Sequence, residues 1–430
     1  MVRRKRKLKK TGLLIIIIFL IMVVALGYIV LKKIKDEKLL DIITKENNLV
    51  ESIKSHYNKY VITSKETDLF DKDGNKIGKI NKDINLVLDD IDITKETKYF
   101  KITNLEDTYI SYNDVTKAKE VTKSDRYKKY IPYNQNIKTK DKTTFYNRSK
   151  ELVYEINKSI DSPIIVKDND YYGIEYDNEI LYVKKDNGEV YDHHNTDKHN
   201  TNGAAVLNYH FFYDENNADD RMGCREEICA SKSQFKSHLE YFKQNNILPI
   251  TMDELEMYMD KKIQLPKSVL ITIDDGGRTK VGIDLLTEYK MNGTIFLITS
   301  WYNPKTYEKS EYIELHSHSH NLHNGGKCPG GQGGEIKCLD KALILDDLKK
   351  SRESLDGSTA FCYPFYEYNS YSEELVKEAG FTMAFIGEVV ASYGPYKLAE
   401  PGGNKMQIPR FVVVNYTTIS EFNRYFNEIK

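Results

Sequence analysis

The chain has 430 residues, with 63 basic and 64 acidic side chains and a formal net charge of −1. This length predicts more than one domain, and the near-neutral charge gives no global argument for nucleic acid as a partner. Basic residues are nevertheless concentrated in residues 1–12, directly before the uncharged apolar run Leu13–Leu31. As a helix rising about 1.5 Å per residue, this run would cover roughly 28 Å, close to the thickness of a bilayer core.

The apolar run therefore predicts a single-pass membrane anchor. A buried helix of a soluble protein is a weaker interpretation, because the run is long and uniformly apolar. A cleaved signal peptide is the better alternative, but no A-x-A-like site follows the run. The basic residues on its N-terminal side favour a cytoplasmic N-terminus, with residues 36–430 outside the cell.

After the apolar run, the hydrophobic pattern of the chain changes twice. Residues 35–58 have helical spacing and predict a juxtamembrane helix or stalk. Residues 60–191 contain short alternating runs separated by turns, which predict β-rich structure. Two segments of this region resemble small SH3-like barrels, which can bind cell-wall components or act as spacers. Residues 192–203 are polar and predict a linker. His193, His194 and His199 could bind a metal by composition, but a solvated linker is the preferred interpretation.

From Ala204 to Lys430 strand-like and helix-like pieces alternate. Such alternation predicts an α/β domain with a parallel sheet or barrel, in which chemistry lies at the carboxyl ends of the strands. Four side chains fall at predicted strand ends: Asp274, Trp301, His318 and Tyr363.

The strongest chemical signal is a pair of aspartates followed by a histidine cluster. The apolar run Val269–Ile273 ends in Asp274-Asp275-Gly276-Gly277, and four of the ten histidines follow within Ile313–His323. One Asp and two His suit a divalent metal with an open coordination position, and a second Asp suits a general base. The pattern indicates metal-assisted hydrolysis, although Asp-Asp-Gly alone would favour a loop turn.

Residues 204–430 resemble the NodB-homology polysaccharide deacetylases (carbohydrate esterase family four), near the branch that acts on poly-N-acetylglucosamine. The resemblance covers about half of the chain. It rests on seven segments in the family's order: Val206–His210, Phe235–Leu255, Val269–Gly276, Gly293–Thr299, Ile313–His323, Phe361–Phe365 and Ile408–Arg410.

The resemblance implies a distorted (β/α)7 barrel that removes N-acetyl groups from amino sugars with a divalent metal, zinc above all. Asp274 would be the base and Asp275 a metal ligand. Two registers exist for the histidine ligands: His316 with His320, or His318 with His323. Glu314 favours the second, because the family often has a Glu four residues before the first ligand.

Several positions depart from the family pattern. Cys362 stands where many members have an arginine beside the base, and Arg410 is the predicted substitute. No histidine follows His323, so His210 becomes the candidate acid, with a buried structural role as its alternative. The remaining predicted roles are an oxyanion-binding N–H for Phe365 and sugar stacking for Trp301, Tyr363 and Tyr366.

The five cysteines agree with an oxidising compartment. Close spacing favours the disulfides Cys224–Cys229 and Cys328–Cys338, with Cys362 free, although zinc ligation is an alternative for the first pair. Together the sequence predicts a membrane-anchored extracellular hydrolase of N-acetylated glycans, with peptidoglycan or another wall glycan as substrate. The alternatives are an O-deacetylase, a deacetylase of an exported polysaccharide, and a wall-binding protein with an inactive barrel.

Overall fold

The computed structural model describes residues 2–89, 99–120, 125–193, 199–224, 226–387 and 396–430. The chain divides into two compact units. Unit 1 comprises Met1–Lys123 and Asp141–Lys158, and unit 2 comprises Ser124–Lys140 and Ser159–Lys430.

The described α-helices are α1 Val2–His56, α2 Ala218–Met222, α3 Lys232–Gln244, α4 Met252–Met259, α5 Lys280–Tyr289, α6 Lys341–Ser354, α7 Ser370–Glu378 and α8 Ile419–Phe426. The described strands are β1 Tyr60–Thr63, β2 Thr67–Phe70, β3 Lys76–Ile80, β4 Asn85–Val87, β5 Tyr99–Lys101, β6 Tyr109–Ser111, β7 Val115–Lys117, β8 Gln135–Thr139, β9 Thr143–Tyr146, β10 Leu152–Ile156, β11 Asp161–Pro163, β12 Val166–Lys167, β13 Tyr171–Tyr176, β14 Glu179–Lys184, β15 Gly188–Asp192, β16 Ala205–Tyr209, β17 Phe211–Tyr213, β18 Cys229–Ser231, β19 Leu248–Pro249, β20 Ser268–Ile273, β21 Gly293–Leu297, β22 Ile313–Ser317, β23 Ala360–Cys362, β24 Met383–Phe385 and β25 Phe411–Val412.

Unit 1 contains the N-terminal helix and antiparallel strands. In α1, Gly12–Ile53 is long and apolar enough to cross a membrane, and the apolar side chains between Leu13 and Leu31 are exposed. Strand β1 pairs with β4 and β7. The other strands of unit 1 pair side by side in the order β9-β10-β3-β2-β6-β5. The β-rich character predicted for residues 60–191 is present. These strand pairings do not confirm the two SH3-like barrels, which stay a prediction.

Unit 2 is built on a parallel sheet with the strand order β24-β23-β22-β21-β20-β16-β25, and β19 also pairs with β20. Strands β16 and β20 are buried along their whole length, as expected for parallel strands covered on both faces. The predicted α/β fold is therefore confirmed. The sheet is curled into a half-barrel with β24 and β25 as its end strands, and beyond these ladders a single isolated bridge pairs Phe385 with Ile408.

The main core of unit 2 lies between the sheet and helices α3, α5 and α8. Phe235, Leu239 and Phe242 of α3 are fully buried, and the ring of Phe242 stacks on Phe422 of α8 at 5.9 Å. This packing fixes the strands, whose carboxyl ends carry the polar side chains described below.

Residues from before the predicted linker also belong to unit 2. Strand β8 pairs with β11 and β15. Arg126 donates to both carboxylate oxygens of Glu254 at 2.8 and 2.5 Å, and the Tyr130 hydroxyl donates to the same carboxylate at 2.5 Å. Glu254 caps the start of α4. Of the predicted linker 192–203, residues 194–198 lie outside the described residues.

Both predicted disulfides are confirmed. Cys224 pairs with Cys229 and Cys328 with Cys338, with Cα–Cα distances of 5.9 and 5.8 Å. Cys362 is a buried free thiol.

Candidate active site

Two adjacent aspartates lie at the carboxyl end of β20. The backbone turns sharply there, with φ values of 68° at Asp275 and 95° at Gly276. A left-handed conformation at a non-glycine residue costs about 1–3 kcal/mol and is concentrated at functional sites. The turn gives the two neighbouring carboxylates different surroundings.

Asp274 is paired with an arginine that directly precedes β25, two strands away from β20 in the sheet. Arg410 donates from Nη1 to Oδ1 at 2.7 Å and from Nη2 to Oδ2 at 2.9 Å, and both side chains are 1% exposed or less. Arg410 also donates hydrogen bonds to the Ile386 carbonyl, the Thr272 hydroxyl and the Cys362 sulfur. Arg410 thus lies beside Asp274, and its role beside a catalytic base stays a prediction.

Burial alone would raise the pKa of Asp274. The positive charge of Arg410 and its hydrogen bonds outweigh burial and hold the pKa well below the usual range. The carboxylate is therefore ionised at neutral pH, which a proton acceptor requires.

Asp275 lies between two imidazoles. Its Oδ1 is 3.3 Å from Nε2 of His318 and 3.3 Å from Nε2 of His323. The same oxygen is buried and has no hydrogen-bond partner. Since a buried carboxylate oxygen without a partner is costly, this triangle of donor atoms is incomplete in the protein alone.

The loop that carries the two histidines is tied to helix α6. Asp347 accepts the N–H groups of His320 and Asn321 at 2.8 and 2.7 Å, and the Ser317 and Ser351 hydroxyls lie 2.6 Å apart. Nδ1 of His318 lies 2.8 Å from the Cys362 carbonyl. A carbonyl accepts only, so Nδ1 carries the proton and Nε2 faces Asp275, an arrangement common among metal-binding histidines.

The other two histidines of the cluster point elsewhere. His316 contacts the Ser358 hydroxyl at 2.9 Å, and burial lowers its pKa to about 4. His320 contacts the Thr299 hydroxyl at 3.0 Å. Glu314, which guided the choice of register, accepts the Met252 N–H at 2.9 Å and does not reach the cluster.

The donor set of Asp275, His318 and His323 fits a divalent cation. The three ligand atoms lie within 4.8 Å of one another, and one carboxylate with two imidazoles leaves an open coordination position. Burial lowers the pKa of His323 to about 4, so its imidazole is neutral. A second cluster, Asp274 with His318 and Cys362, fits less well. The carboxylate there is already bound by Arg410, and burial raises the pKa of the thiol.

His210 follows β16 and belongs to a small polar network. The Tyr366 hydroxyl donates to Asn208 Oδ1 at 2.7 Å and lies 3.2 Å from His210 Nε2. Because that hydroxyl proton is used by Asn208, Nε2 of His210 is the donor to Tyr366. Nδ1 of His210 is then a buried acceptor, and it has no partner. Burial lowers the pKa of His210 more than Asp274 and Asp275 raise it.

Phe365 and Tyr366 are both left-handed, with φ values of 57° and 60°. The ring of Phe365 lies 4.4 Å from that of His323. Among the described residues, no hydrogen bond from the Phe365 N–H is seen, so it is available to a ligand.

The three predicted stacking residues differ in access. Trp301 is 54% exposed, and its ring lies 5.7 Å from that of His323. Tyr366 is half-buried, with its ring 5.5 Å from the Arg410 guanidinium. Tyr363 is fully buried and packs against Phe361 and Tyr368. Its ring belongs to the core, so the structure gives no support to the predicted stacking role of Tyr363.

Sequence reasoning missed three residues that position the site. Asn208 fixes Tyr366, Asp347 fixes the histidine loop, and Glu367 contacts the glycine-rich loop Gly325–Gly334. Asn208 interrupts an otherwise apolar strand, which is a detectable signal. Asp347 and Glu367 are acidic residues in polar stretches, and nothing in their local sequence distinguishes them.

Comparison with known proteins identifies the class. Residues 261–384 match the family model described as polysaccharide deacetylase. The chain is 28% identical over 244 residues to the poly-beta-1,6-N-acetyl-D-glucosamine N-deacetylase of Staphylococcus aureus (strain MSSA476), covering 50% of this chain and 80% of that protein. The Staphylococcus epidermidis protein of that name is 26% identical over 263 residues, covering 54% and 87%. The solved structure of IcaB from Ammonifex degensii is 20% identical, with a TM-score of 0.43, covering 52% and 97%. Residues 261–384 thus lie in a polysaccharide deacetylase domain, as the motifs predicted.

Proposed function

We propose that this protein is a divalent-metal-dependent N-deacetylase of an N-acetylglucosamine polymer, acting outside the cytoplasm. The observation that supports it best is the cluster of Asp275, His318 and His323 next to an Asp274 that Arg410 keeps ionised. One carboxylate is in position to bind a cation, and its neighbour is free to accept a proton.

When bound, the cation would lower the pKa of a water molecule and polarise the acetyl carbonyl. Asp274 accepts the proton of the attacking water as the water oxygen bonds to the carbonyl carbon. The Phe365 N–H donates to the oxyanion that develops. The C–N bond then breaks, acetate leaves, and the amine nitrogen takes up a proton.

His210 is the proposed donor of that last proton. Its Nδ1 has no partner, and its Nε2 is fixed by Tyr366 and, through Tyr366, by Asn208. A neutral imidazole in this position can take the proton that Asp274 has accepted and pass it to the leaving amine. Trp301 beside His323 provides an exposed surface on which a sugar ring can stack.

The proposed location outside the membrane has two supports. The apolar side chains between Leu13 and Leu31 are exposed on α1, which favours insertion into lipid over exposure to water. The two disulfides favour an oxidising compartment. With basic residues before the span, the positive-inside rule places the catalytic residues outside.

Two polymers are candidate substrates. The relatives from Staphylococcus are poly-beta-1,6-N-acetyl-D-glucosamine N-deacetylases, which favours an exported β-1,6-linked polymer. A membrane anchor favours peptidoglycan, because the wall lies within reach of a tethered enzyme.

The test is acetate release by the full chain in detergent with added Zn²⁺. Poly-β-1,6-N-acetylglucosamine, peptidoglycan, an N-acetylglucosamine oligomer with β-1,4 links and an O-acetylated glycan are compared, with chelator-treated protein as the control. Release from an N-acetylated polymer that chelation removes supports the proposal. Release only from the O-acetylated glycan, or no release from any polymer, contradicts it.

A further inference from the structure

We infer that Glu367 is a positioning residue for the reaction: it clamps the glycine-rich loop Gly325–Gly334 and thereby fixes the left-handed turn that presents the Phe365 N–H. This inference rests on the proposed function, since the oxyanion role of Phe365 belongs to it. Glu367 follows directly after the left-handed pair Phe365 and Tyr366.

The clamp consists of three donors around one carboxylate. Gly334 N–H donates to Oε2 at 2.7 Å, Gln332 N–H donates to Oε1, and the Lys337 ammonium lies 2.8 Å from Oε2. The Glu367 and Lys337 side chains are 13% and 14% exposed, so the pair is largely shielded from water. Charge-assisted bonds to backbone N–H groups are among the stronger hydrogen bonds of proteins.

Lys337 extends the clamp to the far side of the loop. Its ammonium also donates to the carbonyls of Pro329 and Gly330, at 3.2 and 2.7 Å. The disulfide Cys328–Cys338 closes the segment that contains these groups. Glu367 therefore binds within the segment Cys328–Cys338, whose two ends are covalently joined.

The glycines make this close approach possible. A Cβ at Gly331, which has a φ of 61°, would collide with the Glu367 carboxylate, and a Cβ at Gly334 would lie 2.9 Å from Oε2. The Phe365 ring packs beside Gly334 as well, since a Cβ there would lie 3.4 Å from the ring. The loop thus contacts both Phe365 and the residue that anchors its turn.

The opposite end of the turn is fixed separately. The Tyr366 hydroxyl is held by Asn208 and His210, and the Glu367 N–H donates to the Pro364 carbonyl at 3.0 Å. Two consecutive left-handed residues persist only where their surroundings determine them. Glu367 supplies this constraint on the side facing the histidine loop, without touching a metal ligand.

The test compares Glu367→Gln with Glu378→Gln in the full chain. Glu378 forms an exposed ion pair with Lys341 and is the matched control. We expect Glu367→Gln to lower kcat by about 10- to 100-fold, less than the about 10²–10³-fold for loss of an oxyanion donor. KM for a β-1,6-linked N-acetylglucosamine oligomer and zinc content should stay within about twofold. Hydrogen exchange should rise at Gln332 and Gly334, which donate to Glu367, and at Tyr366, whose N–H donates to the Tyr363 carbonyl within the turn.

A second variant separates positioning from folding. Lys337→Met should reproduce part of the kcat loss, and the double variant should be no slower than Glu367→Gln, because both residues act through one clamp. Unchanged kcat in Glu367→Gln, or zinc loss in parallel with activity, would overturn the inference. If the unmodified protein releases no acetate, the proposed function fails. Hydrogen exchange then decides alone: unchanged exchange at Tyr366 overturns the clamp, and faster exchange there supports its structural half.

Discussion

The two neighbouring carboxylates of the site have opposite surroundings. Both oxygens of Asp274 are satisfied by a fully buried guanidinium, whereas Oδ1 of Asp275 is buried between two imidazoles without a hydrogen bond. The chemistry of the two side chains is identical, so their neighbours alone separate their roles. The protein itself satisfies the carboxylate of Asp274 with hydrogen bonds, whereas the Asp275 oxygen could be satisfied by a bound cation.

Asp274→Asn should produce the largest effect on turnover. The amide keeps the shape of the side chain but cannot accept a proton, so kcat should fall by about 10²–10⁴-fold. Zinc content should stay near normal, because none of the three proposed ligands changes. Activity within a few fold of the original would contradict the base assignment, and lost zinc would show that the two carboxylates do not have separate roles.

Arg410→Met should have its largest effect on stability. Removing one partner of a buried pair typically costs about 3–5 kcal/mol, because the other charge is left unpaired. Denaturant unfolding measures this, with the exposed pair partner Lys341→Met as the control. A change below about 1 kcal/mol would mean that the pair contributes little.

The same variant predicts a pH effect whose sign follows from the lowered pKa of Asp274. In the unmodified protein, this carboxylate contributes stability above its unfolded pKa of about 3.9, and the contribution is lost as pH falls below that value. Without Arg410, burial raises the pKa. The acid limb of the kcat profile should therefore move to higher pH in Arg410→Met.

Asp275→Asn tests the other carboxylate. Removing a ligand should weaken zinc affinity by at least about 100-fold, the upper range for outer residues that only orient ligands. The metal-free protein should unfold at nearly the same denaturant concentration, since the amide keeps the shape of the side chain and leaves a buried polar group in its place. His323→Gln should resemble Asp275→Asn, and His320→Gln is the matched control. Zinc loss in His320→Gln alone would favour the other register.

Trp301→Ala should have the smallest effect. Loss of one exposed stacking surface is worth about 1 kcal/mol, so KM for the polymer should rise by about fivefold with kcat nearly unchanged. Tyr363→Phe is a useful partner variant, because its buried ring does not face the site. A larger KM effect in Tyr363→Phe than in Trp301→Ala would contradict this assignment of surfaces.

Structural features that follow from a periodic pattern or from a motif could be predicted from the sequence. The alternation after Ala204 predicted the parallel sheet, and the motifs brought Asp274, Asp275, His318, His323 and Arg410 to one end of it. Burial of Tyr363 could not be predicted, because both a core and a surface position are compatible with a strand end. The Glu367 clamp depends on two loops that are remote in sequence, and no local pattern specifies such a pair.

The path of the chain through unit 2 has a consequence for biogenesis. Arg126 and Tyr130 are synthesised well before their partner, and Arg126 meets Glu254 across a sequence separation of 128. Contacts between distant residues slow folding, because a long loop must close first. These two side chains must therefore remain without the Glu254 carboxylate until α4 has been synthesised. A fragment that begins at Ala204 would lack that segment and leave the Glu254 carboxylate without Arg126 and Tyr130, so the start of an expression fragment should lie before residue 124.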